Sequence, residues 1–560
     1  MRRHQQRGWF SVAAAIAVAA AMASVALSSQ GAPPANDGKV DAVFAQWSAS
    51  TPGCAVGVAT NGKPVLAKGY GMADLEHDVR ITPDSIFEAG SVSKQFTAAA
   101  VMLLARDGKL SLDDQVRKYI PELPDYQPLA APKPPGGEGG LTVRHMLNHT
   151  SGLRDWGSVA GIGGWPRTTR VHTQAHMLDI VGRQHALNFT PGTRYSYSNT
   201  GFNLAAMIVS RVSGMPFPEF TRLRLFDPLG MTHTSWRDDY TRIVKGRAIA
   251  YSDRDGFHTD MPFENVYGNG GLLTTVGDLL TWNQHLDSPS AADAKLVAEQ
   301  QQPAKFNDGR PNGYAIGFFV GSHQGLREVF HSGSTAGYSA FLTRFPDQHV
   351  SVAVLCNVAG ANATQYAHSV ADLYLGDRLK PAAPPTATFM ALGADLDDMA
   401  GLYRNARTGV PLTLIHDKNG VRVERGSQLL STAPSRFVTA SGQTWDFDSR
   451  GATRVTDEYG TVDDYVPVQQ AKPTAEQLAS LAGTYASDEA EATMTAAVEG
   501  GGLVLKRRPD TVIKLTPLYA DAFSAATLGT IIFRRDGAGR PIAFSVVQDR
   551  VWDLRFQFQK

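Results

Sequence analysis

A proline-rich stretch, Lys380-Pro-Ala-Ala-Pro-Pro-Thr386, cuts the 560-residue chain into a large N-terminal part and a smaller C-terminal one. Proline fixes φ and removes a backbone donor, so neither helix nor sheet runs through such a segment, and residues 377–394 read as a linker. A chain of this length is too long for one core, which predicts several domains. Beyond the linker the sequence repeats itself: Leu396-Asp-Asp-Met-Ala-Gly-Leu-Tyr403 matches Leu478-Ala-Ser-Leu-Ala-Gly-Thr-Tyr485. Each copy has room for several short antiparallel strands, and two copies are too few for a solenoid. Two related β domains are therefore expected, residues 395–470 and 475–560, each small and barrel-like. In the first, Leu412-Thr-Leu-Ile415 and Val421-Arg-Val423 flank Asn419-Gly420, a hairpin signal.

At the other end, Arg2, Arg3 and Arg7 precede an apolar run from Val12 to Leu27 and then small residues. That run is shorter than the roughly 20 residues a membrane helix needs. Residues 1–30 thus read as a cleaved signal peptide, with a periplasmic or secreted destination and no stable membrane span after cleavage. The 53 Lys+Arg balance the 53 Asp+Glu, so no electrostatic footprint for nucleic acid is expected. Two cysteines, Cys54 and Cys356, allow at most one internal disulfide and exclude a cysteine-based metal site. His172 and His176 have the spacing of a helical metal pair, with His185 beyond, but no carboxylate motif completes a set. They read as a solvated helix face, and neither metal nor organic cofactor is expected. The glycine-rich Pro132–Gly140 follows prolines rather than a strand and reads as a surface insertion.

The chemistry concentrates where Ile86-Phe-Glu-Ala-Gly-Ser91-Val-Ser-Lys94 runs into an apolar helix. Three residues apart in a first turn, Ser91 and Lys94 share one face, so a hydroxyl meets an amine. The helix N-terminus favours an alkoxide and disfavours an ammonium there. No other Ser-x-x-Lys occurs in the chain. A lysine base needs a proton relay and oxyanion donors. Tyr197-Ser-Asn199, just before another apolar helix, supplies a relay candidate; Tyr267-Gly-Asn269 and Tyr403-Arg-Asn405 share the pattern. Val329-Phe-His331-Ser-Gly333-Ser334 reads as a strand running into His-x-Gly, with a backbone N–H just beyond Gly333 free to face the helix N-terminus. His323-Gln-Gly325, also His-x-Gly, reads as a hairpin turn.

Together these residues resemble a family, the serine β-lactamase and D-alanyl-D-alanine carboxypeptidase-like hydrolases of the class C type. The likeness runs from about Lys39 to Leu375. It includes Ser91-x-x-Lys94, Leu141-Thr-Val-Arg-His-Met-Leu-Asn-His-Thr-Ser-Gly-Leu153, Tyr197-Ser-Asn199, Pro228-Leu-Gly-Met231, Gly270-Gly-Leu272 with Asp278, and His331-Ser-Gly333. The resemblance implies an α/β catalytic domain over residues 38–376, an antiparallel sheet flanked by helices, ahead of the two β domains. It implies Ser91 as nucleophile, Lys94 as its base, Tyr197 as proton relay and Asn199 as a contact to the substrate amide. The backbone N–H groups of Ser91 and Ser334 would form the oxyanion hole. His331 stands where class C β-lactamases usually carry lysine, and with the appended β domains this looks most like the D-aminopeptidase branch.

The expected function is thus a secreted serine hydrolase working through an acyl-enzyme on amide or ester bonds, peptides of D-amino acids among them. The alternatives are an esterase, a weak β-lactamase, or a slowly deacylating penicillin-binding sensor. A neutral histidine at 331 offers no fixed cation, so substrates without a free carboxylate are expected to fit best. In the family the strands opened by Cys54 and closed by Cys356 are antiparallel neighbours, which would permit a disulfide. The resembled D-aminopeptidases also place part of a β domain at the cleft mouth; nothing in the sequence singles out the contacting loop, and Tyr519–Phe523 and Asp536–Gly539 are candidates because they read as turns between strands.

Overall fold

The computed structural model describes residues 36–126, 140–167, 169–380 and 393–559. The expected signal peptide, residues 132–139 of the expected insertion and most of the expected linker lie outside them. Among the described residues no helix is long and apolar enough to cross a membrane.

The Val- and Ala-rich segments around the two cysteines form the centre of a six-stranded antiparallel sheet. Its strands are β1 (Cys54–Thr60), β2 (Lys63–Tyr70), β3 (Phe319–His323), β4 (Leu326–Thr335), β5 (Tyr338–Phe345) and β6 (Val350–Cys356), in the order β3-β4-β5-β6-β1-β2. The alternation of a strand sorts β1 into two faces. Val56 and Val58 join one apolar cluster with Ala367 and Val370, while Ala55 and Ala59 join another. Gly57 lets a helix close on that second face, since a Cβ there would lie 2.9 Å from Leu280 Cδ1. Start and end of the catalytic region meet in register: Cys54 pairs with Cys356, their Cα atoms are 4.0 Å apart, and the two form a disulfide.

Helices α1 (Ser93–Arg106) and α2 (Asn199–Ser213) pack on each other, and α3 (Val276–Asp287) and α4 (Ala363–Leu375) pack on the sheet. From Ser93 to Leu104 every residue of α1 is buried, as an all-round apolar run demands. The hairpin expected at His323-Gln-Gly325 is present, with Gln324 and Gly325 both at positive φ between β3 and β4.

The two repeats fold alike. Each begins with a short helix, Gly393–Met399 or Ala475–Ala479, and enters its first strand at a glycine, Gly401 (φ +151°) or Gly483 (φ +150°). In each the repeated tyrosine hydroxyl donates to the carbonyl four residues earlier, Tyr403 to Met399 at 2.8 Å and Tyr485 to Leu481 at 2.9 Å. The first copy is an eight-stranded sheet whose ends meet only through a bridge between Arg422 and Gln428. The second is a closed eight-stranded barrel, sealed where Tyr485 and Ala486 pair with Phe558 and Gln557. Its last hairpin joins β7 (Pro541–Gln548) to β8 (Val551–Phe558).

One sequence expectation fails locally. His172 is not on a solvated helix face: Thr173 caps the helix Gln174–Gly182, so the helix begins after His172. His172 is buried with Nε2 3.2 Å from the Trp165 carbonyl, while exposed His176 accepts from the Thr173 N–H within the cap.

Candidate active site

The strand-to-helix turn Gly90–Val92 places Ser91 where β4 passes α1. Two glycines permit that approach. A Cβ on Gly90, which sits at φ +51°, would lie 2.6 Å from Ser334 N, and one on Gly333 would lie 2.1 Å from the Ala89 carbonyl oxygen. No side chain larger than hydrogen fits at either position. The backbone amides of Ser91 and Ser334 are thereby brought to the same cleft, which has a volume of about 740 Å³. Ser91, Tyr197, Asn199, His331, Gly333 and Ser334 all line it, and Lys94 lies just beneath.

Lys94 is fully buried on the first turn of α1. Its Nζ lies 2.7 Å from the Asn269 carbonyl oxygen, 3.0 Å from Asn199 Oδ1 and 3.1 Å from Ser91 Oγ. Burial holds its pKa well below the usual lysine value; the nearby Arg550 adds to this and Asp155 opposes it. A neutral amine has two N–H donors and one lone pair. Two of the three neighbours, the carbonyl and the amide oxygen, can only accept, so they take both N–H groups. In that form the lone pair is left to face the Ser91 hydroxyl, whereas the ammonium form donates to it.

Tyr197 reaches the same hydroxyl from above. Lys94 Nζ stands 4.8 Å from the centre of its ring, and His149 packs on the ring at 4.1 Å. Burial pushes the phenol pKa up, with Ser91 and Arg550 pulling against it. Asn199 opens α2 and is anchored from behind, its N–H donating to Asp155 Oδ2 at 2.9 Å. The other oxygen of Asp155 caps the helix Trp156–Ile162 by accepting from the Ser158 N–H at 3.1 Å.

His331 is 1% exposed, and both ring nitrogens are engaged. The Ser332 carbonyl, 2.6 Å from Nδ1, can only accept, so Nδ1 carries the proton; Nε2 then accepts from the Tyr314 hydroxyl at 2.9 Å. Burial, with Lys94 adding to it, lowers its pKa to about 3, so the ring is neutral and gives the cleft no charge. Arg167 at the wall is held by both oxygens of Glu264, one at 2.7 Å from Nε.

Three contributors escaped sequence reasoning. The Asn269 carbonyl lies in the glycine-rich loop Gly268–Gly271; the sequence shows Tyr267-Gly-Asn269 as a second Tyr-x-Asn but nothing that points to this carbonyl as a partner of Lys94. Tyr314 had no local signal. Arg550 lies in the β7–β8 turn of the barrel and lines the cleft with its guanidinium 4.8 Å from the Tyr197 ring centre. The loops expected at the mouth do other work. Tyr519 donates to the Gly409 carbonyl and so ties the two β bodies together, and Asp536–Gly539 is a turn closed by Asp536 on the Arg540 N–H. On the rim, Tyr459 of the first β body stacks on Tyr195 at 4.8 Å.

A sheet-and-helix body with a serine and a buried lysine at the helix entrance defines a serine hydrolase. The chain belongs to the Beta-lactamase family, whose model matches residues 40–375, more than half of its length. It is similar to the D-aminopeptidase of Brucella ovis, 26% identical over 511 residues that span 87% of this chain and 92% of that one. Among solved structures it resembles the octameric penicillin-binding protein homologue from Pyrococcus abyssi, with a TM-score of 0.52 at 23% identity, over 77% of this chain and 99% of that one. The D-amino acid amidase from Ochrobactrum anthropi SV3 aligns with a TM-score of 0.51 at 21% identity, over 61% and 99%. These two structural likenesses bear on the fold alone.

Proposed function

We propose that the protein is an exported acyl-hydrolase in which Ser91 attacks an amide or ester carbonyl, bonds of D-amino-acid derivatives among them. The arrangement around Lys94 Nζ carries this reading, because it aims a lone pair at the Ser91 hydroxyl. Lys94 takes the Ser91 proton as Oγ bonds to the carbonyl carbon. The oxyanion is held by the N–H groups of Ser91 and Ser334. Tyr197 passes the proton to the departing amine or alcohol, leaving an ester on Ser91. Water then attacks that ester, gives its proton back through the same groups, and releases the acid with Ser91 restored. Export is supported by the arginine-led apolar segment at the N-terminus and by the Cys54–Cys356 disulfide, which suits an oxidising compartment.

The test is Ser91→Ala. It should abolish labelling by a fluorophosphonate probe and lower kcat by at least about 10³-fold. Full labelling of the alanine variant would place the nucleophile elsewhere.

A further inference from the structure

The cleft has an uneven charge inventory. No aspartate or glutamate lines it among the described residues, whereas two guanidinium groups do. Arg167 is satisfied by Glu264. Arg550 is not matched in that way: the carboxylate beside it belongs to its neighbour Asp549, 3.7 Å from Nε on a side chain 94% exposed. Such a solvent-facing pair is worth little and leaves the fork of the guanidinium open. Asp155, the other nearby acid, stands behind Asn199 with its oxygens taken by two backbone N–H groups. His331, with its pKa lowered to about 3, adds no competing cation, and burial holds the Lys94 pKa well below its usual value.

Arg550 is also held in place. Its carbonyl accepts from the Asp155 N–H at 3.2 Å and from Asn188 Nδ2 at 3.0 Å, which fixes the hairpin to the element that positions Asn199. The guanidinium rests on the Tyr197 ring, 4.8 Å from its centre. A planar fork with fixed backbone, over an aromatic face, whose one carboxylate partner is the exposed Asp549, is the arrangement that recognises a carboxylate.

We propose that Arg550 binds a carboxylate of the substrate, so that the cleft selects anionic acyl donors and disfavours those with a free ammonium group. The proposal rests on the acyl-hydrolase reading above. It revises the expectation drawn from His331: the cation missing from β4 is supplied by the barrel. A free ammonium would meet Arg550 with no carboxylate to receive it. In this respect the chain departs from what the name D-aminopeptidase says of its relatives.

Three anilides sharing one scissile bond test this: N-succinyl-D-alanine, N-acetyl-D-alanine and D-alanine p-nitroanilide. Each is read as substrate and as competitive inhibitor of p-nitrophenyl butyrate hydrolysis by the full chain. The succinyl compound should exceed the acetyl one by about 10-fold in kcat/KM or in inhibition, with D-alanine anilide weakest, and rising salt should shrink the gap. Arg550→Glu should reverse the order of the succinyl and free-amine compounds, and Arg550→Lys should keep the succinyl preference in part. Equal handling of all three, or a succinyl preference that survives Arg550→Glu, overturns the proposal while butyrate hydrolysis keeps the acyl-hydrolase reading intact. Failure of the wild type to hydrolyse any of the four compounds overturns both.

Discussion

Burial around Lys94 Nζ makes protonation of that nitrogen costly, and the Ser91 hydroxyl 3.1 Å away is placed to use its lone pair. The sign of the pH dependence follows. In the proposed mechanism Lys94 works unprotonated, and its pKa is lowered, so activity should be complete above that lowered value and be lost as pH falls through it. Arg550 is one cause of the lowering. Arg550→Ala should therefore raise the Lys94 pKa and move the acid limb of kcat/KM on a neutral ester toward higher pH. An unmoved limb would show that the guanidinium is not felt at the amine. Ser91 and Lys94 were legible because they lie one helical turn apart, and Tyr197, Asn199 and His331 because their tripeptides match a family pattern. Asn269, Tyr314 and Arg550 act through a loop carbonyl, a buried phenol and a distant hairpin, and no local spacing encodes such meetings.

Between elements, the approach of β4 to the Ser91 turn depends on hydrogens at Gly90 and Gly333, and the pairing of β1 with β6 on a covalent link. The disulfide closes a loop of 302 residues in sequence separation. Replacing both cysteines by alanine should lower stability by about 2–4 kcal/mol, read as a shift in the denaturant midpoint. The wild type, denatured without reductant, should show no titratable thiol. Repeat and hairpins were visible in the pattern of Leu396–Tyr403 and Leu478–Tyr485 and in Asn419-Gly420, because turns and tyrosine anchors are local. The barrel-like form of both copies was expected; which copy closes was not, since closure depends on pairing Tyr485 with Phe558 across the whole domain.

At the scale of the molecule the two β bodies are attached differently. Apolar residues of the closed barrel, such as Leu503, Phe544 and Phe556, belong to one continuous core with α1 and α2, whereas Tyr403, Phe437 and Trp445 of the first body form a core of their own. The barrel seam also buries Arg154 against Glu489 at 2.7 Å, and Arg154 further donates to the Trp552 and Asp553 carbonyls. Glu489→Ala leaves that guanidinium without its anion and should cost about 3 kcal/mol of stability in denaturant unfolding. A cost near zero would mean the backbone acceptors suffice.

The hairpin that carries Arg550 also joins parts of the chain that are far apart in sequence: the Asp155 whose carboxylate accepts from the Asn199 N–H donates its own N–H to the Arg550 carbonyl. An opening of the barrel at that hairpin therefore reaches Asn199 through a single residue, while Ser91 and Lys94 stay on the strand-to-helix turn and the first turn of α1. Local opening would cost the cleft its grip before it cost it its nucleophile.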